Sequence, residues 1–184
     1  TLSNSIFTSG FVNNYDDPFV LILNLKTNKN FKCHNRIQET LFKYFKSRLL
    51  PSKFSFGKGD LLNTPMKELM GKVIIMTSGG YENSKLEEIV NYSWDMDLIR
   101  REHYEFGNSN DFNRNDMIEF NRNNLTIIYP NKEGEIFSKN YDPLLFFKAG
   151  CQFMPMNFHL IDHDLDNYIT RFKNYGIMVK PVGL

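Results

Sequence analysis

The sequence predicts an α/β fold, a barrel or an open sheet, and three observations carry that prediction. Apolar runs of strand length recur at residues 18–25 (PFVLILNL), 72–78 (KVIIMTS) and 125–130 (LTIIYP). Unbroken runs of this kind suit parallel strands covered on both faces, where a half-wetted sheet would alternate. A segment of helical periodicity separates the first two runs, so strand, helix and strand follow one another as a βαβ unit. Helical patterns return later in the chain, and that alternation belongs to the α/β class.

Residues 18–25 form the first strand. In HNRIQETLFKYFKSRLLP (residues 34–51), Ile37, Leu41, Phe45 and Leu49 recur four apart, and Phe42 and Tyr44 widen the stripe. This predicts an amphipathic helix ending at Pro51. Thr64 reads as an N-cap with Pro65 at the first helical position, and the short helix MKELM stops at Gly71 before the second strand. Residues 84–94 (SKLEEIVNYSW) read as helical, HYEF (103–106) as a weak strand, and DMIEF (116–120) as helix within a polar, Asn-rich region. After LTIIYP, residues 153–158 (FMPMNF) read as a short buried strand in which Pro155 marks an irregularity. Ala149, Gly150 and Cys151 before it are small enough for a close approach of two backbones. A last helix over residues 165–176 turns Leu165, Ile169 and Phe172 to one side and ends at Gly176. IMVKP is a terminal extended segment.

At 184 residues there is enough material for a real core. With 22 basic and 21 acidic residues the net charge is +1, so no global field favours nucleic acid or an anionic membrane. Cys33 and Cys151 lie far apart in no metal-binding spacing and read as free thiols. No apolar run approaches the roughly 20 residues that span a bilayer. Thr1 opens the chain with no signal segment, which reads as a piece cut from something longer. His159 and His163 could hold a metal if helical, with Asp162 or Asp164 assisting, but a solvated polar loop is the simpler reading. Asn91 and Asn124 match the glycosylation pattern; the second leads into a buried strand, and both are discounted.

The order of several motifs adds a resemblance. LTIIYP, NYDP, FFKAGCQFMPMNF, a helix containing RF, and YGIMVKP follow one another in this chain. They resemble SRIYP, NYxP, W-N-x-G-C-Q with a strand ending LNF, and GYxxKP in the Y half of the catalytic domain of eukaryotic phosphoinositide-specific phospholipase C. Upstream, FTSGFVNNYDDPFVLILNLK is similar to that family's AFxTS…PVILSLE, and TPMKELMGKVIIM to its PSPEELKGKILIK. The resemblance implies the C-terminal part, about five strands, of a distorted (β/α)8 TIM barrel. Residues 1–80 would be the end of the X-like region, 81–101 a short connection, and 102–184 the Y-like region, all in one incomplete barrel domain. Gly150, Cys151 and Gln152 would lead tightly into the last barrel strand. Five strands cannot close a barrel, so the remaining half, from the same or another chain, is the first partner implied.

Members of that family cut the phosphodiester of an inositol lipid with two histidines as general acid and base, assisted by one calcium ion. The resemblance places both histidines and most calcium ligands in a segment upstream of this chain, and none of its four histidines falls in a matching motif. The matching positions inside the chain are altered. Lys26 stands where a calcium-binding glutamate is expected, and an ammonium about 4 Å from the ion would repel it by about 8 kcal/mol. Two phosphate-gripping lysines become Met76 and Ser78, and a bidentate arginine becomes Ile127. Tyr129, expected to stack on the inositol ring, is the one substrate-binding position retained. In place of a membrane-dipping tryptophan, the loop NKEGE presents Glu133 or Gly134.

These replacements imply a phospholipase C-like barrel with no catalytic residues, no metal and no cofactor. It would act as a structural or protein-interaction module in the cytoplasm, with weak peripheral membrane contact and no nucleic-acid binding. The alternative is an active calcium-dependent phosphoinositide phospholipase C, with Ca2+ and the histidine-bearing half supplied from outside this segment. A third reading, headgroup binding without cleavage, is opposed by the three lost phosphate contacts.

Overall fold

The computed structural model describes residues 17–27, 29–59, 61–93, 99–104 (backbone), 113–130, 139–174 and 176–184. It comprises two units, Thr1–Asp97 and Leu98–Leu184.

In the first unit β1 (Phe19–Leu23), β2 (Val73–Thr77) and β3 (Tyr92–Ser93) form a parallel sheet in that order. Every residue of β2 is buried, as its unbroken VIIMT run requires. β1 departs from the expectation of burial on both faces, since Ile22 is 38% exposed. Alternate residues point to opposite sides of a strand, and only Phe19, Leu21, Leu23 and the following Leu25 join the core. That core gathers Val73 and Ile75 of β2 with Phe45, Leu49, Leu86 and Val90.

The helix α1 (Phe31–Phe45) starts three residues before the expected position, because the Asn30 side chain caps it by accepting the Cys33 N–H. It ends at Phe45, where Lys46 takes φ 44, and a 3-10 turn over Lys46–Arg48 replaces the expected last turn. Ile37, Leu41, Phe45 and Leu49 face the core as the periodicity predicts. Phe42 and Tyr44 do not, remaining 56% and 46% exposed, since they lie about 60° and 100° to either side of the buried centre at His34, Gln38 and Phe45. In α2 (Met66–Leu69) it is Pro65, not Thr64, that occupies the cap position.

Residues 84–93 do not form the expected α-helix, and Trp94 lies outside the described residues. A 3-10 turn over Lys85–Glu88 gives way to β3, since the backbone and side chain of Asn91 lock the chain onto β2. Asn91 Oδ1 accepts from Ile75 N (2.8 Å), its N–H donates to Ile75 O (2.8 Å), and Nδ2 donates to Phe54 O (3.1 Å).

In the second unit β4 (Ile99–Tyr104) and β5 (Leu125–Pro130) pair in parallel from Ile99↔Leu125 to Tyr104↔Pro130, joined through α3 (Arg114–Asn123). The weak strand expected at 103–106 thus begins earlier, and its last two residues lie outside the described ones. A helix unforeseen in the sequence, α4 (Pro143–Phe147), follows the Asp142 cap with proline at its first turn. Residues 153–158 make no strand but a single bridge, Phe153 to Ile127, and Pro155 has no N–H with which to extend it. The last helix, α5 (His163–Phe172), ends four residues before Gly176. Its packed residues are Leu165, Tyr168 and Phe172, while Ile169 is 48% exposed. Among the described residues the segment IMVKP pairs with no strand, and Val179 is 90% exposed. Among the described residues no helix is long and apolar enough to cross a membrane.

Candidate functional site

At the carboxyl end of β1 and β2 an open cleft of about 510 Å³ is lined by Lys26, Lys29, Gly79, Gly80 and Glu82, among others. Calcium takes six to eight hard oxygens. This cleft offers one carboxylate, Glu82, which already accepts the Gly80 N–H at 3.1 Å, beside two ammonium groups. The donor set does not fit that ion.

Met76 and Ser78 share this sheet with Lys26. Met76 is 2% exposed and stands in register between Ile22 and Tyr92, on the opposite side of the sheet from Val73 and Ile75. Its thioether offers a phosphate nothing. Ser78 Oγ accepts the Leu25 N–H at 2.8 Å while the Ser78 N–H donates to Leu23 O at 3.2 Å. The serine thus prolongs the β1–β2 ladder past the last strand residue. Ile127 and Tyr129 belong to the second unit, on one side of β5. Ile127 is fully buried and Tyr129 half-buried.

The motifs retained around β5 form a clasp. Gln152 Oε1 accepts the Thr126 N–H (2.7 Å) and its Nε2 donates to Asn124 O (3.1 Å). Backbone bonds from Phe153 N to Thr126 O and from Ile128 N to Phe153 O continue the same ladder. An amide side chain therefore pairs with β5 where the Gly150 turn, at φ +77, has carried the backbone away. A Cβ on Gly150 would come within 3.1 Å of Leu184, so the expected close approach is to side chains of Leu184 and Asn121. Asn121, buried, receives the Thr126 hydroxyl (2.6 Å), donates to Ala149 O (2.8 Å) and offers its carbonyl to the Lys180 ammonium.

The NYDP segment contributes two anchors. Asn140 Nδ2 donates to both Asp162 oxygens (3.1 Å each) and to Leu160 O (3.2 Å), while its Oδ1 accepts the Asn157 N–H (2.6 Å). The Tyr141 hydroxyl reaches the carbonyls of Ile128 and Pro155, each at 3.0 Å. Burial pushes its phenol far above the ordinary range, with the Tyr168 and Cys151 charges adding to the effect. Desolvation raises the Asp162 carboxyl, but N–H donors from Leu165, Asn140 and Asp164 outweigh it and hold the group below the usual range. The sequence had singled out none of these roles, although the motifs NYDP, GCQ and KP that carry them stand in it.

The two histidines weighed as metal ligands do not share a helix. His163 opens α5, His159 lies in the preceding turn, and both are exposed. Among the described residues no group of three His, Cys, Asp or Glu could hold a metal ion. Glu133 and Gly134 lie outside the described residues.

Parallel strands with helical crossovers and this clasp define a phospholipase C-type α/β fold. Residues 75–183 match the family model for the phosphatidylinositol-specific phospholipase C Y domain, and the chain belongs to that family. Over 47 residues it is 43% identical to 1-phosphatidylinositol 4,5-bisphosphate phosphodiesterase beta-1 of Bos taurus and of Mus musculus, covering 26% of this chain and 4% of each relative. The crystal structures of PLC21 from L. pealei and S. officinalis superpose with TM-scores of 0.61 and 0.60, at 19% and 18% identity. Each covers 90% of this chain and 27% of the solved one. At such identity the likeness speaks for the fold alone, and the chain spans only a fraction of these relatives.

Proposed function

We propose that this chain is the C-terminal part of a phospholipase C-type (β/α)8 barrel that no longer binds or cuts an inositol lipid headgroup and acts as a structural or protein-interaction module. Its first partner is the remaining barrel half, in the same or another polypeptide, and its compartment is the cytoplasm. One observation carries the reading: the positions matching the family's site hold side chains that serve the fold instead. Met76 and Ile127 are 2% and 0% exposed, and the Ser78 hydroxyl is bonded to the Leu25 N–H. Lys26 brings a cation where metal oxygens are needed.

Lost contacts to a charged group cost about 1.5–3 kcal/mol each. Three of them amount to roughly 4–9 kcal/mol, or about three to six powers of ten in rate, before the metal is counted. Coupling among such residues makes simple addition a guide only. The test is titration calorimetry of the native protein that carries this chain, with calcium and with inositol trisphosphate. Neither should bind at micromolar to millimolar concentration. Tight, calcium-dependent headgroup binding would instead favour an active enzyme, for which the retained Tyr129 is the one supporting residue.

A further inference from the structure

Charge is distributed unevenly along the chain. Nine of the 22 basic residues but one of the 21 acidic residues fall between positions 26 and 58, so that segment carries a net +8 and the remainder a net −7. The helix α1 lies at its centre. Lys32, Arg36 and Lys43 fall within about 40° of one another on the helical wheel, on the side opposite the buried His34, Gln38 and Phe45. Lys29 and Lys46 extend the stripe at its two ends, and all five cations are exposed. None has a carboxylate within ion-pair distance among the described residues. Glu39 lies on the same side but is engaged with Lys85 at 3.9 Å.

We infer that this outward face of α1 docks on an anionic lipid bilayer. Three of the cations share one side of a helix about 22 Å long and the other two flank its ends, so together they form one elongated cationic strip. Four of the five are lysine. Lysine is depleted in protein–protein interfaces, where arginine and aromatic residues anchor, and it lacks the fork that reads a particular carboxylate or phosphate. A lysine cluster on a helix surface suits the diffuse negative potential of a membrane leaflet. The net charge of the whole chain conceals this, because the acidic excess lies elsewhere. The inference stands whether or not catalysis has been lost.

The test is co-sedimentation of the native protein that carries this chain with phosphatidylcholine vesicles, with and without roughly one part in three phosphatidylserine, in the presence of a calcium chelator. Binding should require phosphatidylserine and fade with added salt. The triple variant Lys32→Ala, Arg36→Ala, Lys43→Ala should bind about 100-fold more weakly, at roughly fivefold per cation. Alanine favours helix, so circular dichroism should show α1 intact. Lys32→Arg with Lys43→Arg should bind like the unaltered chain, as should the exposed lysine variant Lys67→Ala with Lys148→Ala. The inference is overturned if phosphatidylserine gives no binding, or if the triple variant binds as well as the parent. It is equally overturned if polyuridylate or polyglutamate competes at lower charge concentration than the vesicles, which would assign the face to nucleic acid or to an acidic protein.

Discussion

Around β5, five polar side chains (Asn121, Asn140, Tyr141, Gln152 and Lys180) each meet a backbone carbonyl or N–H of another segment. At the ends of β1 and β2 the polar groups include Ser78, spent on the ladder, and Lys26, Thr27, Lys29 and Glu82 at an open cleft. In the proposed reading both regions derive from motifs of one family, and only the first keeps its polar residues. The difference teaches that the demands of folding and of chemistry fall on separate residues. A buried amide that loses its partner destabilises every molecule, so it is held in place. A phosphate-gripping lysine serves only turnover, and a methionine in its place packs well.

The largest effect should come from Asn140→Ala. It strands the Asn157 N–H and removes the side-chain donor shared by Asp162 and the Leu160 carbonyl, so chemical denaturation should show a loss of about 3–5 kcal/mol. Gln152→Leu leaves the Thr126 N–H and the Asn124 carbonyl unpaired, and should cost about 2–4 kcal/mol.

Tyr141→Phe should cost about 1–2 kcal/mol at neutral pH. Its signature lies in alkali. The folded state holds the phenolic proton more tightly than the unfolded chain, whose tyrosine releases it near about pH 10. Stability from this group is therefore complete below that pH and lost as pH rises through and beyond it. In the phenylalanine variant the alkaline fall should be shallower. At the other region, Lys26→Glu on an exposed position should change stability by no more than about 0.5 kcal/mol. A large loss there, or none at Asn140, would break the comparison.

The sequence made some of this legible and concealed the rest for physical reasons. Runs such as VIIMT and LTIIYP can satisfy their burial only inside a sheet, and β2 and β5 lie where those runs stand. Phe42 and Tyr44 stand at the margins of the helical stripe, where an apolar side chain can stay in solvent, so hydrophobicity alone does not place them. SKLEEIVNYSW looks helical by composition, but Asn91 bonds Ile75 of β2 through two atoms and Phe54 O through a third, a long-range effect that no local pattern encodes. At the site, the identities of Lys26, Met76, Ser78 and Ile127 were readable, whereas the bond that occupies the Ser78 hydroxyl needed coordinates. The clasp roles of Asn140 and Gln152 were hidden because an amide in a sequence gives no sign of the backbone groups it will meet.

The central claim is that the scaffold persists without its chemistry, and release of soluble inositol phosphate from mixed micelles tests it most directly. The sample is the native protein that carries this chain, with calcium present, alongside its Lys26→Glu variant. The account predicts no turnover from either, because in the proposed reading the metal site and three phosphate contacts are lost together. Turnover above about 1 s⁻¹ by the unaltered protein, within the ordinary enzyme range, would contradict it.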